Sequence, residues 1–207
     1  MMPVETLAMF FGASVLLALS PGPDILFVLA QAVQRGRQAG LAVTIGLCTG
    51  LLVHTTAVAL GVAAVFKASE LAFSLLKYIG AAYLLYIAYH AFRAGGSAGD
   101  EKAEEMAFGR LYRRGIIMNI TNPKVSLFFL AFLPQFTDPA YGPILPQFLL
   151  LGLLFIVSTV LVFGGISILA GSFGGFLRRS ARAQIVLNRI AGTVFVALAI
   201  KLALARR

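Results

Sequence analysis

Long apolar runs separated by short polar stretches fill this chain. The pattern predicts six membrane-crossing helices, at residues 7–33, 41–66, 71–92, 115–136, 144–171 and 185–204. A helix needs about 20 apolar residues to cross a hydrocarbon core about 30 Å thick, and each run is long enough. Only helices and closed barrels satisfy their own backbone in lipid. The runs lack the two-residue alternation of a barrel strand, so the expected fold class is all-α and integral to the membrane.

Two of the runs break alike, 100 residues apart. Ser20-Pro21-Gly22-Pro23-Asp24 interrupts the first, and Asn119-Ile120-Thr121-Asn122-Pro123-Lys124 interrupts the fourth. With Pro23 set against Pro123, the apolar stretch Ile25 to Leu29 matches Val125 to Phe129 in kind. Leu76 to Ala81 and Leu187 to Gly192 form a second, weaker match between the third and sixth runs. Homologous halves of three helices must insert with opposite orientation, related by a pseudo-twofold axis in the membrane plane. The chain then divides into a first repeat at 1–93, a cytoplasmic linker at 94–114 and a second repeat at 115–207. Polar breaks at corresponding places in two such halves point to a transporter binding site.

Charge sets the orientation. Loop arginines and lysines are concentrated on one side: Arg35, Arg37, Arg93, Lys102, Arg110, Arg113, Arg114, Arg178, Arg179 and Arg182, ten in all, against Lys67, Lys201, Arg206 and Arg207 on the other. Basic loops stay cytoplasmic, so both termini are expected outside. Composition agrees with a membrane chain: 59% of the residues are hydrophobic and 12% charged, and the mean hydropathy is +0.91. A soluble domain carries about 25% charged residues. The net charge of +9 reflects basic residues at the ends of apolar runs. That placement suits lipid headgroups, and no nucleic-acid partner is expected. The single Cys48 excludes an internal disulfide. The N-terminal run lacks a basic leader and continues to Val33, unlike a cleaved signal peptide.

The breaks carry the candidate chemistry. Proline removes a helical donor and clashes with the preceding turn. Pro21, Gly22 and Pro23 therefore end the regular helix, and Pro123 pushes Asn122 out of the helical region. Backbone groups freed at depth need partners in protein or in a water-filled cavity, and Ser20, Asn119, Thr121 and Asn122 are near enough to serve. Asp24 and Lys124 lie 11 and 10 residues from the nearest cytoplasmic arginines, roughly 15 Å deep at the helical rise. An unpaired charge there costs at least about 2.5–3.5 kcal/mol, so the two are expected to pair or to meet the charges of a zwitterionic substrate. Each opens a new half-helix at its positive end, which suits Asp24 and leaves Lys124 needing a negative partner. The substrate carboxylate is also expected to reach free N–H groups at the breaks.

Gly46 and Gly50 form a small-residue face for helix packing or gating. His54 is an intramembrane histidine that serves either packing or a proton relay. Gln31 and Gln135 flank the break helices as candidate pathway residues. No phosphate loop, metal-ligand cluster or nucleophile constellation appears, so neither cofactor nor metal is expected and the chain does not read as an enzyme. A gradient must then supply the energy, with Asp24 as the candidate proton carrier. A channel, or an exporter of another small solute or ion, is the alternative on the same scaffold.

Pro21-Gly22-Pro23, the stretch Arg35 to Gly40, Gly46 and Gly50, and Asn119 to Lys124 together resemble the LysE/RhtB family of bacterial amino-acid exporters, over nearly the whole chain. The resemblance implies a multi-pass carrier of the bacterial inner membrane that exports amino acids or close derivatives, driven by the proton motive force. Its motif positions match at Pro21, Gly22, Pro23, Asn122, Pro123 and Lys124. The expected mechanism is alternating access around a midplane site, with amino acid, protons and lipid bilayer as partners. A homodimer is also expected, because six helices leave little scaffold around a moving core.

Overall fold

The computed structural model describes residues 2–20, 22–68, 70–93, 107–170 and 181–204. Pro21, residues 94–106 of the linker, and Gly171, Gly174, Gly175, Arg178 and Arg179 lie outside that set. The described residues are helical, with no strand among them. The first run is split into α1 (Val4–Leu19) and α2 (Pro23–Arg35), with proline at the first position of α2. Two long helices come next, α3 (Arg37–Ala68) and α4 (Glu70–Arg93). The fourth run is split into α5 (Phe108–Thr121) and α6 (Pro123–Leu127). The chain continues from α6 as a π-helical turn, Phe128–Phe132, and a 3-10 turn, Leu133–Phe136. The fifth run is α7 (Ile144–Thr159), a second π-helical turn at Val160–Gly164, and α8 (Gly165–Leu169). The last helix is α9 (Ala181–Leu204).

Among the described residues, Arg37–Gly61 and Ile144–Leu169 are each long and apolar enough to cross a membrane. The pairs α1–α2 and α5–α6 qualify when each is taken as one span bent by more than 40°, which gives two to four spans. The fourth run starts earlier than its apolar residues imply. Phe108 to Arg114, with three arginines, form about the first two turns of α5, ahead of the apolar stretch from Gly115.

The α3 helix is the scaffold: it packs on α5, α2 and α7, while α4 pairs with α9 and α1 with α7. Glycine decides how closely α3 and α5 approach. A Cβ on Gly46 would strike the Tyr112 carbonyl oxygen, one on Gly115 would sit 2.5 Å from Val43 O, and one on Gly50 would sit 2.7 Å from Asn119 Cβ. At Gly46 the close approach is therefore backbone to backbone, while at Gly50 the missing Cβ leaves room for the Asn119 side chain. Two apolar clusters build the core. One joins Phe10, Leu17, Phe128, Phe132, Phe136 and Phe155. The other joins Ala18, Phe27, Val43, Leu47 and Phe163. Outward faces carry large apolar side chains such as Leu60, Ile117, Leu153 and Ile200, a surface that suits lipid. Tyr78, Tyr86, Tyr89 and Phe92 are exposed on α4, where His90 stacks edge-on against Tyr86.

Candidate functional site

The breaks meet where the two apolar clusters meet. Leu17, Ala18, Asp24, Asn119, Lys124, Val125, Phe155, Thr159 and Phe163 line one cavity of about 20 Å³. One water needs about 10–15 Å³ on this measure, so the cavity has room for about one water and is too small for an amino acid. Asp24 and Asn119 are 5% and 2% exposed, so both polar side chains are buried.

Asp24 stands in the first turn of α2, where the positive end of the helix favours a carboxylate. Its Oδ2 accepts a hydrogen bond from Asn122 Nδ2 at 2.8 Å, across the two halves. Asn122 is also the N-cap of α6, its Oδ1 accepting from the Lys124 backbone N–H at 3.0 Å. The amide orientation is fixed chemically, because the carboxylate needs a donor and the N–H needs an acceptor. This bond corrects one expectation. At the second break the Lys124 N–H is satisfied by the protein, so that group does not await a substrate carboxylate.

Lys124 reaches back to the first break. Its Nζ donates to Leu17 O at 3.1 Å and to Ser20 O at 3.0 Å. Pro21 has no N–H, so Leu17 O lacks the donor that a continuous helix would supply. The lysine takes that place, at the negative end of α1, where a cation is favoured. Gly22 makes room for it, since a Cβ there would sit 3.1 Å from Nζ. No direct Asp24–Lys124 bond forms, which was one of the two arrangements left open by the sequence. The carboxylate bonds Asn122, the ammonium bonds carbonyls, and neither bonds the other. Asp24 Oδ1 and Asn119 Oδ1 are both buried without a hydrogen-bond partner, a state that costs free energy and marks a place for a donor.

The structure brings Asp24, Asn119, Asn122 and Lys124 together, with Ser20 contributing its carbonyl oxygen. Pro23 and Pro123 open the second half-helices, and Pro21 lies outside the described residues. Thr121 is not in the group: it is exposed and its Oγ1 donates to Ile117 O at 2.8 Å. Gln31 is buried on α2 and, like Gln135, lies off the cavity wall. Sequence reasoning missed the wall supplied by α7 and its π turn, where Phe155, Thr159 and Phe163 recur at four-residue spacing. Thr159 within an apolar run was the available signal.

A family model described as LysE type translocator matches residues 15–206. The chain is 36% identical over 194 residues to the homoserine/homoserine lactone efflux protein of Salmonella typhimurium, with 93% of each chain covered. It is 35% identical over 202 residues to an uncharacterized membrane protein of Pseudomonas aeruginosa, covering 92% of this chain and 91% of that one. A third relative, an uncharacterized membrane protein of Vibrio cholerae, is 32% identical over 194 residues, covering 93% of this chain and 94% of that one. No solved structure matches significantly. The helical breaks, the apolar spans and these matches agree: the chain belongs to the LysE type translocator family, as a membrane transporter and not an enzyme.

Proposed function

We propose that this chain exports an amino acid or close derivative across the bacterial inner membrane, by alternating access around the cavity between the two breaks. The observation that carries the reading is that Asp24 and Lys124, one from each half, line the same buried cavity without bonding each other. Asp24 Oδ1 would accept from a substrate ammonium together with Asn119 Oδ1, and Lys124 would meet a carboxylate or a lactone carbonyl. Both features belong to homoserine and to its lactone, the solutes in the Salmonella relative's name. The cavity of about 20 Å³ supports alternating access, since substrate entry requires the walls to part.

The finer architecture is part of the proposal. Residues 1–93 and 115–207 form inverted three-helix repeats joined by a cytoplasmic linker at 94–114 whose last residues, 108–114, are the start of α5, six spans in all, with α4 and α9 as the third span of each. Both termini face outward, as the loop basic residues favour. The aromatic cluster of Phe10, Phe128, Phe132 and Phe136 then seals the outer side and must open for release. Protons supply the energy through Asp24, and the working unit is a homodimer.

Export of labelled homoserine from preloaded cells tests the function. Expression should lower retained label, and a protonophore should abolish the difference. Retention equal to that of vector-only cells, for homoserine and for a panel of other amino acids, with the protein present in the membrane, contradicts it. A C-terminal reporter active only in the cytoplasm overturns the orientation. Cross-linking in membranes that yields monomer alone removes the dimer.

A further inference from the structure

The second break leaves a backbone acceptor without its helical donor. In a continuous helix the N–H of residue 123 would bond the carbonyl of residue 119, but Pro123 has no N–H. Asn119 O instead receives the backbone N–H of Asn122 at 3.1 Å, a tighter turn, and lies 3.1 Å from His54 Nε2. A carbonyl oxygen only accepts, so His54 donates from Nε2. The imidazole thus supplies this carbonyl with a second donor, beside the Asn122 N–H.

His54 also spans the break. Its ring lies 5.6 Å from that of Phe129, in the π-helical turn beyond Lys124, while its nitrogen holds the carbonyl before Pro123. The residue one helical turn earlier on α3 is Gly50, whose lack of a Cβ admits the Asn119 side chain against the helix. Gly50 and His54 together fix Asn119 from two directions, through its side chain and through its carbonyl. Asn119 in turn lines the cavity with Oδ1 unpartnered.

We infer that His54 is a positioning residue for transport: its Nε2–H gives the Asn119 carbonyl a second donor and holds Asn119 at the cavity wall. The inference rests on the transport reading above for its functional consequence. What is needed is a donor at the Nε2 position, not a titrating ring. Glutamine places its amide nitrogen close to the position of Nε2, asparagine is too short, and leucine offers no donor.

Two measurements test this. In the transport assay, His54→Gln should keep the wild-type KM and maximal rate, while His54→Leu and His54→Asn raise KM about three- to tenfold, the range one hydrogen bond covers. Their maximal rates, normalised to membrane protein, should change less than KM. A proton relay predicts the reverse for glutamine, which cannot carry a proton, so loss of proton-driven export in His54→Gln overturns the inference. Nitrogen-15 NMR of selectively labelled wild-type protein reads the donor without reference to transport. A proton on Nε2 of His54 is expected, and a bare Nε2 refutes the cap. If wild type exports nothing, the function fails while the NMR result still decides the cap.

Discussion

At the first break, carbonyls at the end of α1 are taken by an ammonium from the second half; at the second, a carbonyl near the end of α5 is taken by an imidazole from the first half. The prolines delete the same kind of donor in both places. The replacement differs because the two helix ends lead into opposite charges. Past the first break stands Asp24, at home on the positive end of α2. Past the second stands Lys124, misplaced at the positive end of α6, which escapes by reaching to the negative end of α1. Each charge thus makes its hydrogen bonds to a helix end or an amide, while the opposite charge acts on it across space without a bond. Two charges that are not spent on each other remain able to engage a zwitterion, whereas a direct ion pair would have to break first. The difference between the breaks therefore favours the proposed binding site over a permanent lock.

The strongest way to break this comparison is to exchange the charges. Asp24→Lys with Lys124→Asp preserves an opposite pair but puts a carboxylate among the α1 carbonyls and an ammonium on the positive end of α2. We expect little assembled protein in the membrane and no export, measured by immunoblot and retained label; wild-type levels of both would restore the simple ion pair. Lys124→Met comes next. It removes two charge-assisted hydrogen bonds, each worth about 1.5–3 kcal/mol, and export normalised to membrane protein should fall at least about a hundredfold. Asp24→Asn keeps an acceptor for Asn122 and loses the charge, so a loss of about tenfold is expected, on the scale of one charged hydrogen bond. The remaining flux should no longer respond to an imposed proton gradient in everted vesicles. Gly22→Ala is the mildest, since a Cβ 3.1 Å from Lys124 Nζ asks the flexible end of the lysine to move by a few tenths of an ångström. Its KM should rise about two- to threefold, on the scale of a weakened hydrogen bond, with normal assembly.

Much of this was legible in the sequence, for physical reasons. Proline spacing and apolar run length fixed where the bends fall, because a missing N–H and a hydrocarbon core leave few alternatives. Asp24, Asn119, Asn122 and Lys124 stood out as polar groups beside the breaks, and the structure gathers them. Partner assignment was less legible. Charge alone suggested that Asp24 and Lys124 pair, while the observed partners are an amide and two backbone carbonyls, which carry no letter in a sequence. Counting the acceptors each proline orphans, residue by residue, would have found Leu17 O. It would also have found Asn119 O, though not that His54, 65 positions away, supplies the donor. Thr121 misled because adjacency in sequence is not adjacency on a helix: it points away from the face that Asn119 presents.

The most direct test is counterflow in proteoliposomes. Purified wild-type protein is loaded with unlabelled homoserine and diluted into a trace of labelled homoserine, beside Lys124→Met reconstituted at the same density. The account predicts a transient accumulation of label inside the wild-type vesicles that is absent with Lys124→Met. Accumulation of equal size and time course with the variant would show that the ammonium between the breaks takes no part in carrying substrate.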